Sequence, residues 1–316
     1  MTRSQRFNKI IEVEVEDRDS KPITTIAGGK ININVQKQVS TEPNVAYVEI
    51  YNLKKEQREN FHFKFDIFQQ KFGNFVRIKA GYEGNVKTIF YGSIVEAYSF
   101  QDGTEIITRI ELRTIIYEVL GKRYSKQVTA GYSKGKVILD ILKENNIKLF
   151  TGQEKKVLEL VTGTYKKKKT LTGTIQSVID EVNSNIRNQI TMHFDDAGIT
   201  FLPAGVPLDI DEVVFDEYNG LIGSPKITPR GADFEVSLTP ELRINHPIRI
   251  ISRATSSYNK VFTGNFAVDG NSFVVSRVVH QGSNWEDNNF KSSVNALYPI
   301  NTGTVATAQL DNTAIA

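Results

Sequence analysis

The chain has 316 residues, a length that favours two or three modest domains over one. Its 39 basic and 36 acidic side chains give a net charge of +3, too near balance for the phosphate-neutralising surface of a nucleic-acid-binding protein. The sequence contains no cysteine, which excludes disulfides and thiolate metal sites and suits assembly in a reducing cytoplasm.

Alternation of apolar and polar residues predicts four strands of one antiparallel system in the first third of the chain. The alternating stretches are residues 11–15, 31–35, 46–50 and 76–80. Between the last two, residues 54–72 are rich in charge and Phe and predict a short helix followed by a loop. Residues 88–100 and 105–117 predict a hairpin, because the intervening Asp102-Gly103 tolerates the positive φ angles of a tight turn.

Helical spacing replaces this alternation after Gly121. Apolar residues at helical spacing predict amphipathic helices over residues 134–145 and 174–187, the second capped by Thr172 or Thr174. Residues 189–202 predict a further hairpin, which turns at Asp195-Asp196-Ala197-Gly198. This middle stretch is therefore predicted to be a small α/β module.

The strand pattern returns from Val206 onward. Phe234, Val236 and Leu238 alternate with polar residues, and a hairpin is predicted to turn at Asp269-Gly270-Asn271 before a strand over residues 273–279. Small polar residues then predict a tail that orders only on contact. The predicted fold is mainly β with an α+β insertion: a first β domain (1–120), an α/β module (121–205), a second β domain (206–296) and a flexible tail (297–316).

No motif in the sequence predicts catalysis. The stretch 131–137 resembles a phosphate loop, but Ala130 stands in place of the first Gly and Val137 in place of the magnesium-binding hydroxyl. Without cysteine, the sequence has no thiol nucleophile. We expect a turn that leads into a helix, and no enzyme site or cofactor.

The histidines and carboxylates are also expected to be structural. His62, His193, His246 and His280 lack the spacing of a metal site, and His280 is placed at a strand end where it could contact a neighbour. The acidic residues at 195–196 and 209–217 are interpreted as solvated turns, because neither the geometry of a glycosidase nor a calcium loop is present. The lysine run 166–169 is interpreted as a solvated loop, with an acidic partner or nucleic acid as the alternative.

Five segments carry a resemblance to a known family. They are PNVAYVEIYNL at 43–53, FVRIKAGYEG at 75–84, IFYGSI at 89–94, and the longer stretches 221–250 and 274–297. In this order they resemble phage tail baseplate hub proteins, the late control protein D-like family that also occurs in contractile injection systems. Asn245-His246 departs from the glycine turn frequent in that family, and Phe290 stands where a Trp is expected, with Trp285 earlier.

The resemblance implies two β-barrel-like domains of the tail-tube type that frame the α/β module, and a structural role without catalysis. Three copies would form a pseudo-six-fold ring that joins the six-fold tail tube to the three-fold central spike. Strand edges and polar strand faces would form the subunit interface, and candidate residues on those faces are Arg77, Lys79, Arg109 and Arg113.

The implied partners are other copies of the chain, the spike, the tube protein or tube initiator, and baseplate wedge and tape-measure proteins. The sequence shows no signal peptide and no apolar run near the ~20 residues that span a bilayer, so we expect no membrane anchor. The expected location is the virion tail, after assembly in the host cytoplasm. Two alternatives stay open: a receptor- or carbohydrate-binding tail protein, and a cell-wall hydrolase.

Overall fold

A computed structural model describes most of the chain. It covers residues 8–40, 42–61, 74–114, 119–150, 152–184, 191–195, 198–202, 205–252, 260–263, 266–269, 272–286 and 289–300. Several predicted features lie wholly or partly outside these residues: the loop after the first helix with His62, the ends of the first hairpin and of the second long helix, the turn residues 196–197 and 270–271, and residues 301–316. Within the described ranges, no helix is both long and apolar enough to cross a membrane.

The described residues of the first β region, which we call lobe 1, form seven strands and one short helix. They are β1 (Lys9–Glu16), β2 (Pro22–Ile26), β3 (Ile31–Gln38), β4 (Val45–Tyr51), α1 (Lys55–Glu59), β5 (Phe75–Tyr82), β6 (Asn85–Asp102) and β7 (Glu105–Thr114). All four predicted strands are present, as β1, β3, β4 and β5. The predicted Asp-Gly hairpin joins β6 to β7, where Asp102 pairs with Glu105 and Gly103 has a φ of 60°.

The middle stretch holds three helices and two small strand pairs among its described residues. They are β8 (Arg123–Val128), α2 (Lys134–Glu144), α3 (Gln153–Leu160), β9 (Lys169–Thr174), α4 (Ile175–Ser184), β10 (Thr191–Asp195) and β11 (Gly198–Leu202). Strand β8 pairs with β9, and β10 pairs with β11 as predicted. The apolar faces of α2 and α4 form one buried cluster that includes Ile141 and Val178.

Helix α3 was not predicted from the sequence. Its buried positions are Gln153 and Val157, and charged residues fill most of the others. Its apolar residues, Val157, Leu158 and Leu160, all lie in the second half of the helix, so they form no helical period that would distinguish it from a loop.

Thr174, one of the two predicted caps, is the N-cap of α4. Its Oγ1 accepts a hydrogen bond of 3.1 Å from the backbone N–H of Ser177, and its carbonyl accepts the Ser177 hydroxyl at 2.9 Å. We expect Thr174→Ala to lower the free energy of unfolding by about 1 kcal/mol, because a helix donor loses its acceptor. Thr172→Ala is the matched control, and urea unfolding of both variants tests the expectation. Equal losses in the two variants would contradict it.

The second β region, which we call lobe 2, contains eight described strands. They are β12 (Val213–Phe215), β13 (Leu221–Thr228), β14 (Gly231–Ser237), β15 (Pro247–Ile250), β16 (Lys260–Thr263), β17 (Phe266–Asp269), β18 (Ser272–Ser283) and β19 (Phe290–Leu297). The predicted alternation at Phe234 and Val236 lies in β14, which has the burial pattern of a half-buried strand. The hairpin predicted at Asp269-Gly270-Asn271 was wrong, because among the described residues β17 pairs with β16 and not with β18.

The two lobes share a single 13-stranded sheet, in which every pair except β12–β15 is antiparallel. Its main path runs β13-β14-β19-β18-β3-β4-β7-β6-β5-β1-β2, with β15 and β12 attached beside β18. Pairing of β18 with β3 joins the lobes. Each lobe has its own apolar cluster, although Leu238 and Phe290 of lobe 2 pack into the cluster of lobe 1.

Six strands of each lobe follow the same order in the sheet. Lobe 1 contains the path β1-β5-β6-β7-β4-β3, and lobe 2 contains β12-β15-β18-β19-β14-β13. The register irregularity of β6 falls between Ile94 and Glu96, and that of β18 falls at the matching place between Val275 and Arg277. The first pair differs in direction, since β1–β5 is antiparallel and β12–β15 is parallel.

Two features near the end of lobe 2 refine the sequence predictions. The packed chain extends beyond the predicted start of the tail at residue 297, because Tyr298 is buried and its N–H bonds the Arg230 carbonyl at 3.0 Å. Asn245, where a glycine turn was expected, has a φ of 62°. Asn therefore adopts the left-handed conformation that glycine would adopt at that turn.

Candidate assembly surface on the large sheet

One face of the large sheet carries polar side chains across both lobes, and we call it the polar face. Strand alternation directs every second residue toward it, and the register aligns those residues across neighbouring strands. In strand order from β1 to β14, its members include Glu14 and Glu16, Arg77 and Lys79, Tyr91 and Tyr98, Arg109 and Arg113, Glu49, Asn34, Gln281, Ser293 and Glu235. All four predicted interface residues therefore lie on one face.

Arg77 and Lys79 on β5 are paired with acidic residues of β1. The Arg77 guanidinium donates to Glu16 at 3.2 Å and lies 4.3 Å from the centre of the Tyr91 ring, while Lys79 bonds Glu14. The Tyr91 hydroxyl donates to the second oxygen of Glu16 at 2.8 Å. Burial, followed by the hydrogen bond to Glu16, raises the pKa of Tyr91.

Arg109 and Arg113 lie on β7, nearer the middle of the sheet. Arg109 donates to Glu49 on β4 at 2.6 and 2.9 Å and to the Tyr98 hydroxyl on β6 at 3.2 Å. The hydrogen bond to Glu49 is the main reason that the pKa of Arg109 is raised. Arg113 bonds Glu111 at 3.4 Å on its own strand.

Lobe 2 continues the same pattern of cross-strand pairs. Lys291 on β19 bonds Glu235 on β14 at 2.7 Å, Ser293 donates to the same carboxylate at 3.2 Å, and Asn295 bonds Asp233 at 2.6 Å. The hydrogen bond from Lys291 holds the pKa of Glu235 below its usual value. The polar face is thus a network of hydrogen bonds and ion pairs, in which each predicted interface cation already has an acidic partner in its own chain.

The acidic partners could not be identified from the sequence alone. Alternation shows that Glu14, Glu16 and Glu49 are polar positions of strands, but the register decides which cation each one meets. Register depends on strand order, and β1 pairs with β5 across about 60 residues of chain. No sequence signal specified that pairing.

The two arginine sites differ in burial, which makes them a matched pair for mutation. Loss of Arg77 would leave Glu16, which has only 11% of its side chain exposed, without its guanidinium partner. Loss of Arg109 would affect a more exposed pair, in which the arginine is 45% exposed and Glu49 is 27% exposed. We expect Arg77→Met to lower the free energy of unfolding by about 2 kcal/mol and Arg109→Met by less than about 1 kcal/mol. Chemical denaturation checks the order, and a larger loss at Arg109 would contradict this account.

Amide side chains line the joint between the lobes on the polar face. Asn32 and Asn34 of β3, Tyr47 of β4 and Gln281 of β18 border a shallow depression of about 590 Å³. A second depression of about 600 Å³ lies at one end of lobe 1, between Lys30, Tyr51 and the exposed Trp285. Both are open to solvent, and each lining includes a single acidic residue, Glu49 in the first and Glu105 in the second.

His280 corrects a sequence prediction. It was expected at a strand end, but it lies within β18 and is fully buried, with its Nδ1 2.8 Å from the Ser292 hydroxyl. It therefore cannot contact a neighbouring molecule. His193 is also buried, and no group of three or more potential metal-ligating side chains occurs among the described residues.

The remaining charged motifs have the expected settings where they are described. The loop that resembled a phosphate-binding site leads into α2, and Ser133 caps that helix. Asp209, Asp211, Glu212 and Glu217 are exposed, and Glu212 bonds Arg249 at 2.9 Å. Residues 166–169 are exposed as well, with Lys169 bonded to Glu181. The alternative that this lysine loop contacts an acidic partner or nucleic acid remains a hypothesis.

Comparison with known proteins identifies the family. Residues 10–277 match the family described as baseplate hub gp41, whereas no curated protein sequence matches the chain. Among solved structures, the 43 kDa tail protein of prophage MuSo2 from Shewanella oneidensis has a TM-score of 0.55 and 8% identity, covering 92% of this chain and 98% of that one. A tail protein from Neisseria meningitidis MC58 has a TM-score of 0.55 and 7% identity, covering 92% and 97%.

A third structure comes from a secretion machine. The Escherichia coli c3393 protein, a type VI secretion component described as structurally similar to T4 tail proteins gp27 and gp5, has a TM-score of 0.52 and 10% identity, covering 87% of this chain and 74% of that one. At such identities these structures support the fold, a mainly β chain with a large antiparallel sheet. The family match supports a structural role in the phage tail and a location there. The resemblance found in the sequence is confirmed, and the chain belongs to the baseplate hub gp41 family.

Proposed function

We propose that this protein is the structural hub of the baseplate, a ring of three copies that joins the six-fold tail tube to the three-fold central spike. The observation that supports this best is the matching strand order of the two lobes, including the matching irregularities of β6 and β18. Two similar lobes in each of three copies offer six similar positions, which a six-fold tube requires.

The lobes are proposed as the two tube-like domains, residues 1–120 and 206–296, with the α/β module of residues 121–205 between them. A ring of this kind needs a heterologous interface, in which two different surfaces of the chain meet and close by rotation. The polar face carries Arg77, Lys79, Arg109 and Arg113, each of which is paired with a carboxylate of its own chain, and this suits a wetted surface.

The proposed partners are those that the resemblance to the hub family implies. One end of the ring would contact the tube protein or a tube initiator and the other the spike, with wedge and tape-measure proteins around and within it. Assembly would take place in the host cytoplasm before the tail is complete. The role is positional, so we propose that the protein is not an enzyme and requires no cofactor.

Mass measurement and electron microscopy of the purified chain, alone and with its spike protein, test this proposal. We expect a particle of three times the 35.6 kDa chain mass, with six lobes visible around the ring in projection. A strictly monomeric chain that cleaves peptidoglycan, with activity lost on changing one carboxylate, would establish the hydrolase alternative instead. A monomer that binds a cell-surface glycan would establish the receptor-binding alternative.

A further inference from the structure

Strand β18 shows how one lobe is joined to the next within a single chain. On the side away from β19, its residues before the irregularity pair with β15, where Val274 lies opposite Pro247. Its residues after the irregularity pair with β3, from Arg277 opposite Gln38 to Ser283 opposite Asn32. The irregularity thus marks the point at which the partner changes from a strand of the same lobe to a strand of the other lobe.

Strand β6 is the counterpart of β18 in lobe 1, and only half of its matching side is used. Before the irregularity it pairs with β5, where Ser93 lies opposite Phe75. After it, residues 96–102 pair with β7 on one side, and on the other side no described strand pairs with them. The position that β3 occupies beside β18 is therefore unfilled beside β6 among the described residues.

Strand β13 is the counterpart of β3. In each lobe this strand ends the corresponding path and pairs with the next strand through a hairpin, β3 with β4 and β13 with β14. The other side of β3 pairs with β18, whereas the other side of β13 has no strand partner in the described part of the chain. Among the described residues, each chain thus has two strand edges that correspond to the two sides of the β18–β3 junction. One is the edge of β6 in lobe 1, and the other is the edge of β13 in lobe 2.

We propose that the hub ring closes when residues 96–102 of β6 in one copy pair antiparallel with β13 of the next copy, in the register of the β18–β3 junction. This inference rests on the proposed ring and names the contact that forms it. The contact is heterologous, because β6 and β13 are different strands, and repeated heterologous contacts generate a ring when the rotation closes. It also protects two strand edges that would otherwise promote uncontrolled association.

The register follows from the pairs within the chain. Asn34 of β3 corresponds to Lys226 of β13, because the two lie opposite Tyr47 and Asp233 at the same place in the two hairpins. Tyr98 of β6 corresponds in the same way to Val279 of β18, since the two lie opposite Arg109 and Ser293. Within the chain, Val279 pairs with Gln36 and Gln281 with Asn34. If β6 of one copy and β13 of the next copy adopt this register, Tyr98 of the first copy lies opposite Thr228 of the second. Phe100 of the first copy then lies opposite Lys226 of the second.

Side-chain chemistry at the predicted junction is complementary. Lys226 and Phe100 would form a cation–π contact on the polar face, which stabilises an exposed pair modestly. Glu96 would come beside Arg230, in the turn after β13. Both are exposed, and neither side chain makes an ion pair or hydrogen bond within the described structure. Tyr98, which is 42% exposed in one copy, would be covered by the neighbouring strand.

Disulfide crosslinking tests the register directly, because the chain contains no cysteine of its own. Directly opposed residues of antiparallel strands have Cβ atoms about 4.5–5.5 Å apart, within reach of a disulfide after a small adjustment. The test pair is Phe100→Cys with Lys226→Cys. The control pair is Glu96→Cys with Lys226→Cys, since a shift of four residues moves the partners about 13 Å apart along the strand.

Mild oxidation of the test variant is expected to produce covalent dimers and trimers in denaturing gels, while the control variant stays largely monomeric. Mixing the two single variants, Phe100→Cys and Lys226→Cys, is expected to yield dimers only, because the bond joins different chains. A wild-type ring whose test pair fails to crosslink would overturn the β6–β13 junction and leave the ring intact. A wild-type chain that forms no trimer would overturn the proposed function itself.

A charge exchange gives an independent readout that does not depend on cysteine chemistry. Glu96→Arg is expected to weaken assembly about tenfold, since it places two cations side by side, and Glu96→Arg with Arg230→Glu is expected to restore it. Sedimentation at several concentrations measures the association. Circular dichroism confirms that each variant is folded. Failure of the double variant to recover would count against the register.

Discussion

Lowering the pH from 7.5 to 5.0 is expected to reduce the free energy of unfolding by about 4 kcal/mol, divided between His280 and His193. Burial, reinforced by the neighbouring Lys37, lowers the pKa of His280 to about 3. Burial lowers the pKa of His193 to about 4, against a hydrogen bond to the Leu202 carbonyl. Both imidazoles are therefore neutral in the folded protein across this range.

The sign follows from proton uptake by the unfolded chain. An unfolded histidine titrates near pH 6.5, so below that pH the unfolded state binds protons that the folded state cannot accept. Stability is therefore full above pH 6.5 and falls as the pH approaches the folded pKa values. Carboxylates with lowered pKa, such as Glu235 and Glu241, lose their contributions only at lower pH, near and below their ordinary value of 4.5.

His280→Asn separates the two histidines, because it removes one titrating group and keeps a polar side chain beside Ser292. The loss of stability between pH 7.5 and 5.0 is expected to fall by about half, to about 2 kcal/mol. Val278→Ala on the same strand is the control, which lowers stability at both pH values without changing the difference. Urea unfolding at one fixed protein concentration measures all of them, since association would shift the midpoint. An unchanged pH difference in His280→Asn would contradict the assignment.

The burial of His280 could not be predicted from local sequence patterns. Alternation along β18 placed the residue on one of two faces, and it belongs to the buried face with Val278. Its position in the middle of the sheet depends on the β18–β3 pairing, which joins residues almost 250 positions apart. Local patterns predict strands well because the pleat has a period of two, but they carry no information about distant partners.

The same limit applies to the polar face. The positions of Arg77 and Arg109 on one polar face followed from alternation, whereas their pairing with Glu16 and Glu49 required the register. The correspondence between the lobes was inferred from the family resemblance and not from sequence similarity between β6 and β18. It becomes visible in the strand order and in the positions of the two irregularities.

Replacing Gly92 is expected to destabilise lobe 1 by about 3 kcal/mol or more, one of the largest effects for a single methyl group. Gly92 lies in β6, within the segment IFYGSI that carried the family resemblance. A Cβ at this position would lie 2.3 Å from the carbonyl oxygen of Arg113 and 2.7 Å from the ring of Phe90. The ring belongs to a fully buried side chain, and the carbonyl belongs to β7, so neither neighbour can move without disturbing the β6–β7 pairing.

Gly92→Ala is therefore expected to unfold at a clearly lower urea concentration than the wild type, and to assemble poorly because β6 carries the proposed junction. Gly28→Ala is the control, since nothing lies within 4 Å of a Cβ at that position, and its stability should be unchanged or slightly higher. Adding Phe90→Leu to Gly92→Ala relieves only the contact with the ring, so it should recover little. A Gly92→Ala protein whose free energy of unfolding stays within about 1 kcal/mol of the wild type would contradict this prediction. It would show that β6 and β7 can move apart locally to accommodate the methyl group.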